Sequence, residues 1–110
     1  MSELASRTCV LPNGDAPALL PEECTAYVAE VPDWTIESSP PVLTRTFRFD
    51  TFDTAVSFVN AVAFVARGQD HHPDLDIRYS RVTVRYWTHA AGGLTVNDFI
   101  CAAKIDRLLR

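Results

Sequence analysis

The stretch DLDIRYSRVTVRYW, residues 74–87, commits the chain to a β-hairpin. Leu75, Ile77 and Tyr79 alternate with Asp74, Asp76 and Arg78. Val82, Val84 and Tyr86 then alternate with Thr83, Arg85 and Trp87. Successive side chains of a strand point to opposite faces, so a period of two means two half-buried strands. The phase breaks near Ser80, where a tight turn joins them. Whatever else the chain does, it must supply an apolar cover for one face of this hairpin.

The remaining elements supply that cover. Residues 1–20 hold Pro12, Gly14 and Pro17 without periodicity and read as an irregular arm; residues 21–110 read as a single domain. Pro21, Glu22 and Glu23 suit the first turn of a helix, and Cys24, Tyr27, Val28 and Val31 recur at helical spacing until Pro32 and Asp33 end it. Trp34 to Ser38 is short and extended. Pro40 and Pro41 make a turn into a strand from Val42 to Phe49, with Leu43, Phe47 and Phe49 on one face and Arg45 interrupting it. Asp50 is the expected N-cap of the next helix. Its inner stripe is Phe52, Ala55, Val56, Val59, Val62, Ala63 and Ala66, and Gly68 is the expected stop. Phe58, Ala61, Phe64 and Val65 carry the apolar surface further round, as in a helix buried on more than one side, so a subunit interface is expected. After a small-residue loop, Ala90 to Gly93, Thr95 begins a last helix with Phe99, Ala102, Ala103, Ile105 and Leu109 inward. The order is helix, strand, strand, helix, strand, strand, helix. This predicts an α+β fold, a four-stranded antiparallel sheet with three helices packed on one face.

Composition narrows the function. The 110 residues are 47% hydrophobic and 22% charged, with a net charge of −4. An acidic chain is poorly suited to a phosphate backbone, so no nucleic-acid partner is expected. No run approaches the roughly 20 apolar residues that span a bilayer, and the N-terminal residues lack the apolar core of a signal peptide. Cys9, Cys24 and Cys101 are an odd set without a CxxC pair, which reads as reduced thiols. A cytoplasmic protein is expected.

The three histidines carry the chemistry. His71-His72-Pro73 lies between a helix and a strand, and His89 ends the following strand. A hairpin returns the chain near its start, so His89 is expected close to the His71–His72 segment. Imidazoles titrate near neutral pH and can give or take a proton there. A metal site is disfavoured, because neighbouring residues of an extended chain point apart and no zinc-type spacing occurs. Thr95-Val96-Asn97-Asp98 resembles a helix capping box.

The stretch DHHPDLDIRYSRVTVRYWTHAAGGLTVNDFICAAKID resembles the pterin-4a-carbinolamine dehydratases. The residues that carry the likeness are His71-His72-Pro73, Tyr79, Thr88-His89, Gly92-Gly93-Leu94 and Asp98. Trp34, the strand Leu43 to Phe49 and the segment Phe58 to Ala66 are also similar to that family. The resemblance implies a hydro-lyase that dehydrates 4a-hydroxytetrahydropterin to quinonoid dihydropterin in tetrahydrobiopterin recycling, with no metal or cofactor. It implies His71 and His89 as acid/base residues, and His72 in holding the pterin or sharing the proton work. Asp98 either orients a histidine or binds the pterin; Pro73, Thr88 and Asp70 are the other expected substrate-site residues. It also implies a homodimer or homotetramer. The pattern departs at Arg67, where active members usually carry an acidic or other titratable residue; arginine cannot serve as a base at neutral pH. A weakly active relative that binds a protein partner, as an assembly factor for Rubisco in carboxysomes, is the alternative.

Overall fold

The computed structural model describes residues 3–10, 16–38 and 40–109. Along the chain run α1 (Pro21–Val28), β1 (Thr35–Glu37), β2 (Val42–Arg48), α2 (Phe52–Gln69), β3 (Asp74–Arg78), β4 (Arg81–Tyr86) and α3 (Val96–Arg107). Four antiparallel strands form one sheet in the order β1-β2-β4-β3, and the helices cover one face, as the sequence order predicts. Within the segment read as an arm, Leu4–Ser6 make a short 3-10 turn that packs on α3.

Register explains the two faces. Leu43 pairs with Tyr86, Phe47 with Val82, and Leu75 with Val84, so the covered face is apolar. On the other face Thr46 pairs with Thr83, their hydroxyls 2.9 Å apart. Arg45, which interrupts the apolar face, lies over the Phe47 ring and reaches Asp106 of α3 at 2.7 Å. The Trp34 indole N–H donates to the same carboxylate oxygen at 2.8 Å, so the edge of the core is closed by a paired charge. Trp34 itself is a core residue.

Several boundaries differ from the sequence expectation, each for a local reason. α1 ends at Val28 rather than Val31; Val31 is buried beyond a turn and accepts the Trp34 N–H. The N-cap of α2 is Thr51, not Asp50, because the Thr51 hydroxyl accepts the Thr54 N–H at 3.1 Å. The buried stripe of α2 is Ala55, Phe58, Val62 and Ala66; Phe52 and Ala63 lie exposed and Val56 and Val59 half-buried beside it. Gly68 sits inside α2, and the helix stops at Asp70, whose φ of 51° is left-handed. α3 ends at Arg107, which leaves Leu109 exposed. No helix among the described residues is long and apolar enough to cross a membrane.

Candidate active site

The end of α2 sets the position of the first histidine. Asp70 N–H returns to Ala66 O and Arg67 O, and His71 N–H to Ala66 O at 3.1 Å. This left-handed turn satisfies the last carbonyls of the helix and turns His71 inward. The His71 ring then stacks on Tyr86, with centroids 5.1 Å apart, and the Tyr86 hydroxyl donates to the His71 carbonyl at 3.1 Å. Burial holds the Tyr86 phenol well above its ordinary pKa, so it remains a donor.

His71 is 8% exposed and Asp98 is fully buried. Their Nε2 and Oδ1 atoms are 2.6 Å apart. Oδ2 of Asp98 accepts the Thr95 N–H at 2.9 Å and the Thr88 hydroxyl at 3.0 Å. The Thr95 hydroxyl lies 2.9 Å from that of Thr88, and with Thr88 donating to Asp98, Thr95 donates to Thr88. One carboxylate thus caps α3 and grips an imidazole at once. Against a carboxylate, which only accepts, the imidazole is the donor of this bond, through Nε2.

A cleft of about 410 Å³ is lined by the segment from Asp70 to Asp74 and by Trp87, Thr88, His89 and Ala90. It gathers all three histidines, with Pro73 and Asp70. His72 and His89 are exposed in it, and His89 lies against Trp87 at 4.4 Å between centroids. The hairpin brings these groups together, and the Thr88–Gly93 bridge folds the His89–Ala91 turn back beside them. Gly92 carries the positive φ of 72° that this reversal requires. Asp98 does not line the cleft itself and meets it through His71 and Thr88. Thr88 lines it, with its hydroxyl engaged by Asp98 and Thr95. Tyr79 is 73% exposed at the far tip of the hairpin, and Arg67 is exposed outside the cleft lining. Among the described residues no group of three or more His, Cys, Asp or Glu side chains is placed to hold a metal ion.

The family model for pterin 4 alpha carbinolamine dehydratase matches residues 17–108. The chain belongs to that family. A Xanthomonas oryzae pv. oryzae (strain PXO99A) protein, provisionally named a pterin-4-alpha-carbinolamine dehydratase, is 54% identical over 79 residues, which is 72% of this chain and 67% of its own. One from Xanthomonas euvesicatoria pv. vesicatoria (strain 85-10), named likewise, is 51% identical over 84 residues, 76% of this chain and 71% of its own. Among solved structures, a transcriptional coactivator/pterin dehydratase from Brucella melitensis superposes with a TM-score of 0.79 at 31% identity, covering 83% of this chain and 97% of its own. A pterin dehydratase-like protein identified as a RuBisCO assembly factor in the alpha-carboxysome superposes with a TM-score of 0.60. It is 23% identical, covering 69% of this chain and 88% of its own, and that likeness concerns the fold.

Two features around the His71 cleft escape a reading of the sequence. Tyr86 appears there only as one more inward residue of a strand, although a hydroxyl on a core position is a sign that it has a buried partner. Trp87 beside His89 is the other; nothing in the spacing marks it.

Proposed function

We propose that this protein catalyses the dehydration of a 4a-hydroxytetrahydropterin to the quinonoid dihydropterin, using His71 and His89 as its acid/base pair. The observation that carries the reading is the Asp98-backed His71 in a cleft that also holds His72 and His89. The cleft's volume lies in the range of small-molecule sites. In the reaction the C4a–O bond breaks, N5 loses its proton, the N5–C4a double bond forms, and the hydroxyl leaves as water once protonated. One acid and one base suffice, each worth roughly 10²–10⁴ in rate. Asp98 fixes the orientation of the His71 ring and faces the positive charge that appears when the ring takes a proton. His89 is the exposed partner in the same cleft, and His72 and Pro73 border the ring of the substrate with Asp70. No metal or redox cofactor takes part in this chemistry.

The pathway that supplies such a substrate is tetrahydropterin use by an aromatic amino-acid hydroxylase, in a cytoplasmic setting that suits three free thiols. We also propose a homo-oligomer, supported by the exposed Phe52, Phe64, Ile77 and Tyr79.

Arg67 favours a second reading, in which the protein is a weak catalyst that binds a protein partner such as Rubisco. One assay separates the two. Phenylalanine hydroxylase generates the 4a-hydroxytetrahydropterin in place, and its absorbance decay is followed with and without this protein. Concentration-dependent acceleration, abolished in His71→Ala and His89→Ala, is the expected result. Decay no faster than buffer, from a folded protein, overturns the enzyme reading in favour of the binding one.

A further inference from the structure

Residues 3–10 lie outside the cleft yet strap together the two helix ends that build it. Leu4 and Ala5 are buried, and Lys104 of α3 donates to the Ala5 carbonyl at 2.9 Å. The Cys9 N–H donates to the Gln69 side chain at 2.8 Å. Val10 and Asn97 exchange two bonds, Val10 N–H to Asn97 Oδ1 at 2.8 Å and Asn97 Nδ2 to Val10 O at 2.6 Å. Gln69 is two residues before His71, and Asn97 is the residue before Asp98. The strap therefore bridges the segments that deliver the buried His71–Asp98 pair.

Near the end of the strap, Cys9 Sγ lies 3.6 Å from Cys101 Sγ of α3. Both thiols are buried and free, and the dehydration uses neither. A disulfide has its sulfurs about 2.05 Å apart, so a small approach separates this pair from a bond. The two thiols are unequal. The hydrogen bond from Cys101 holds the Cys9 thiol below its ordinary pKa; the same bond and burial hold Cys101 well above. Cys9 also retains slight exposure, whereas Cys101 has none. That is the division of labour between an attacking and a resolving thiol. Cys24 stands apart, lining a separate cavity with Leu19, Ile36 and Leu94.

We propose that Cys9 and Cys101 form a reversible disulfide that locks residues 3–10 onto α3 when the protein meets a hydroperoxide. The Cys9 thiolate attacks a peroxide oxygen, the O–O bond breaks, and the leaving oxygen takes a proton as water or alcohol. Cys9 is then a sulfenic acid. The Cys101 sulfur gives up its proton and attacks the Cys9 sulfur, the S–O bond breaks, and a second water leaves. The two thiols together lose two hydrogens, and one hydroperoxide is reduced. A dithiol reverses the bond by exchange.

The test treats the purified full chain with hydrogen peroxide and follows intact mass, alkylation after unfolding, and native-state hydrogen exchange. The expected protein loses the mass of two hydrogens, shields Cys9 and Cys101 from alkylation while Cys24 reacts, and recovers all three thiols with dithiothreitol. The Cys9 and Val10 amides, which exchange by opening of the strap, slow by at least about tenfold on oxidation. Cys24→Ser behaves as wild type, and Cys9→Ser shows no crosslink. Full alkylation of all three cysteines, oxidation that stops at a sulfenic or higher acid on Cys9, a bond involving Cys24, or a Cys9–Cys101 bond that leaves the strap amides unprotected would each overturn the proposal. The wild-type mass map decides the bond without any variant having to fold.

Discussion

His71 is held on three sides: by the Asp98 carboxylate, by the Tyr86 ring and hydroxyl, and by the last carbonyls of α2. Thr88 acts on it at one remove. Thr88→Val keeps the side chain's shape and removes the donor to Asp98 Oδ2, leaving that oxygen the Thr95 N–H alone among these two partners. A lost bond to a buried charged group costs roughly 1.5–3 kcal/mol, which urea denaturation will read. With the carboxylate less firmly held, kcat should fall at least about tenfold while KM changes little; a raised KM with kcat intact would put the hydroxyl on the substrate instead. Tyr86 gives a pH signature. Its phenol is held above the ordinary 10.0, so the folded chain keeps a proton that the unfolded chain loses. The folded state binds more protons above about pH 10, and stability must fall as pH rises through that range. Cys101, held above its ordinary 9.0, adds a loss of the same sign from about pH 9. Tyr86→Phe keeps the stack and removes the Tyr86 part of the slope, at a cost near neutral pH of about 1 kcal/mol. Denaturation midpoints between pH 8 and 11 check this; equal slopes in variant and wild type would refute it.

At the scale of elements, the strands were legible because a two-residue period survives burial of one face. The helix ends were less so. Gly68 looked like the stop of α2, but a helix ends where its last carbonyls find donors, and here Asp70 and His71 provide them. The contacts of Cys9 with Cys101, and of Thr88 with Asp98, join elements by side chains that carry no periodic signal. The inner face of α2 was misplaced by one flank, because a helix apolar most of the way round does not declare which side the sheet will take. The left-handed turn yields a prediction. Asp70 at a φ of 51° is strained as glycine would not be. The left-handed penalty of roughly 1–2 kcal/mol exceeds the roughly 0.4–1 kcal/mol of unfolded-chain entropy that glycine adds, so Asp70→Gly should raise stability by up to about 1 kcal/mol and Asp70→Val should lower it. Thermal melts read both. If Asp70 also borders the substrate, the glycine variant will be more stable and less active together.

For the whole molecule, the sheet and its helical cover follow from the alternation and the turn at Ser80, whereas the outer surface of α2 is not covered by any element of the described chain. Phe64 is 77% exposed on the side of α2 away from its buried stripe, and Phe52 with Ala63 flanks that stripe in the open. A small acidic protein gains nothing in water from a large apolar ring exposed on a helix, and covering it against a second copy would remove that cost. Placing a charge there should cost the isolated subunit little, since surface changes away from packed groups stay within about 0.5 kcal/mol. It should cost an interface far more, because an unpaired charge would be desolvated on association. Phe64→Glu is thus expected to keep the melting behaviour of the subunit while lowering the assembly mass. Light scattering over a range of concentrations would show wild type as a dimer or tetramer and the variant as a smaller species. Equal masses for the two would remove this face of α2 from the interface and leave the hairpin edge, where Ile77 and Tyr79 are also exposed, as the surface to charge next.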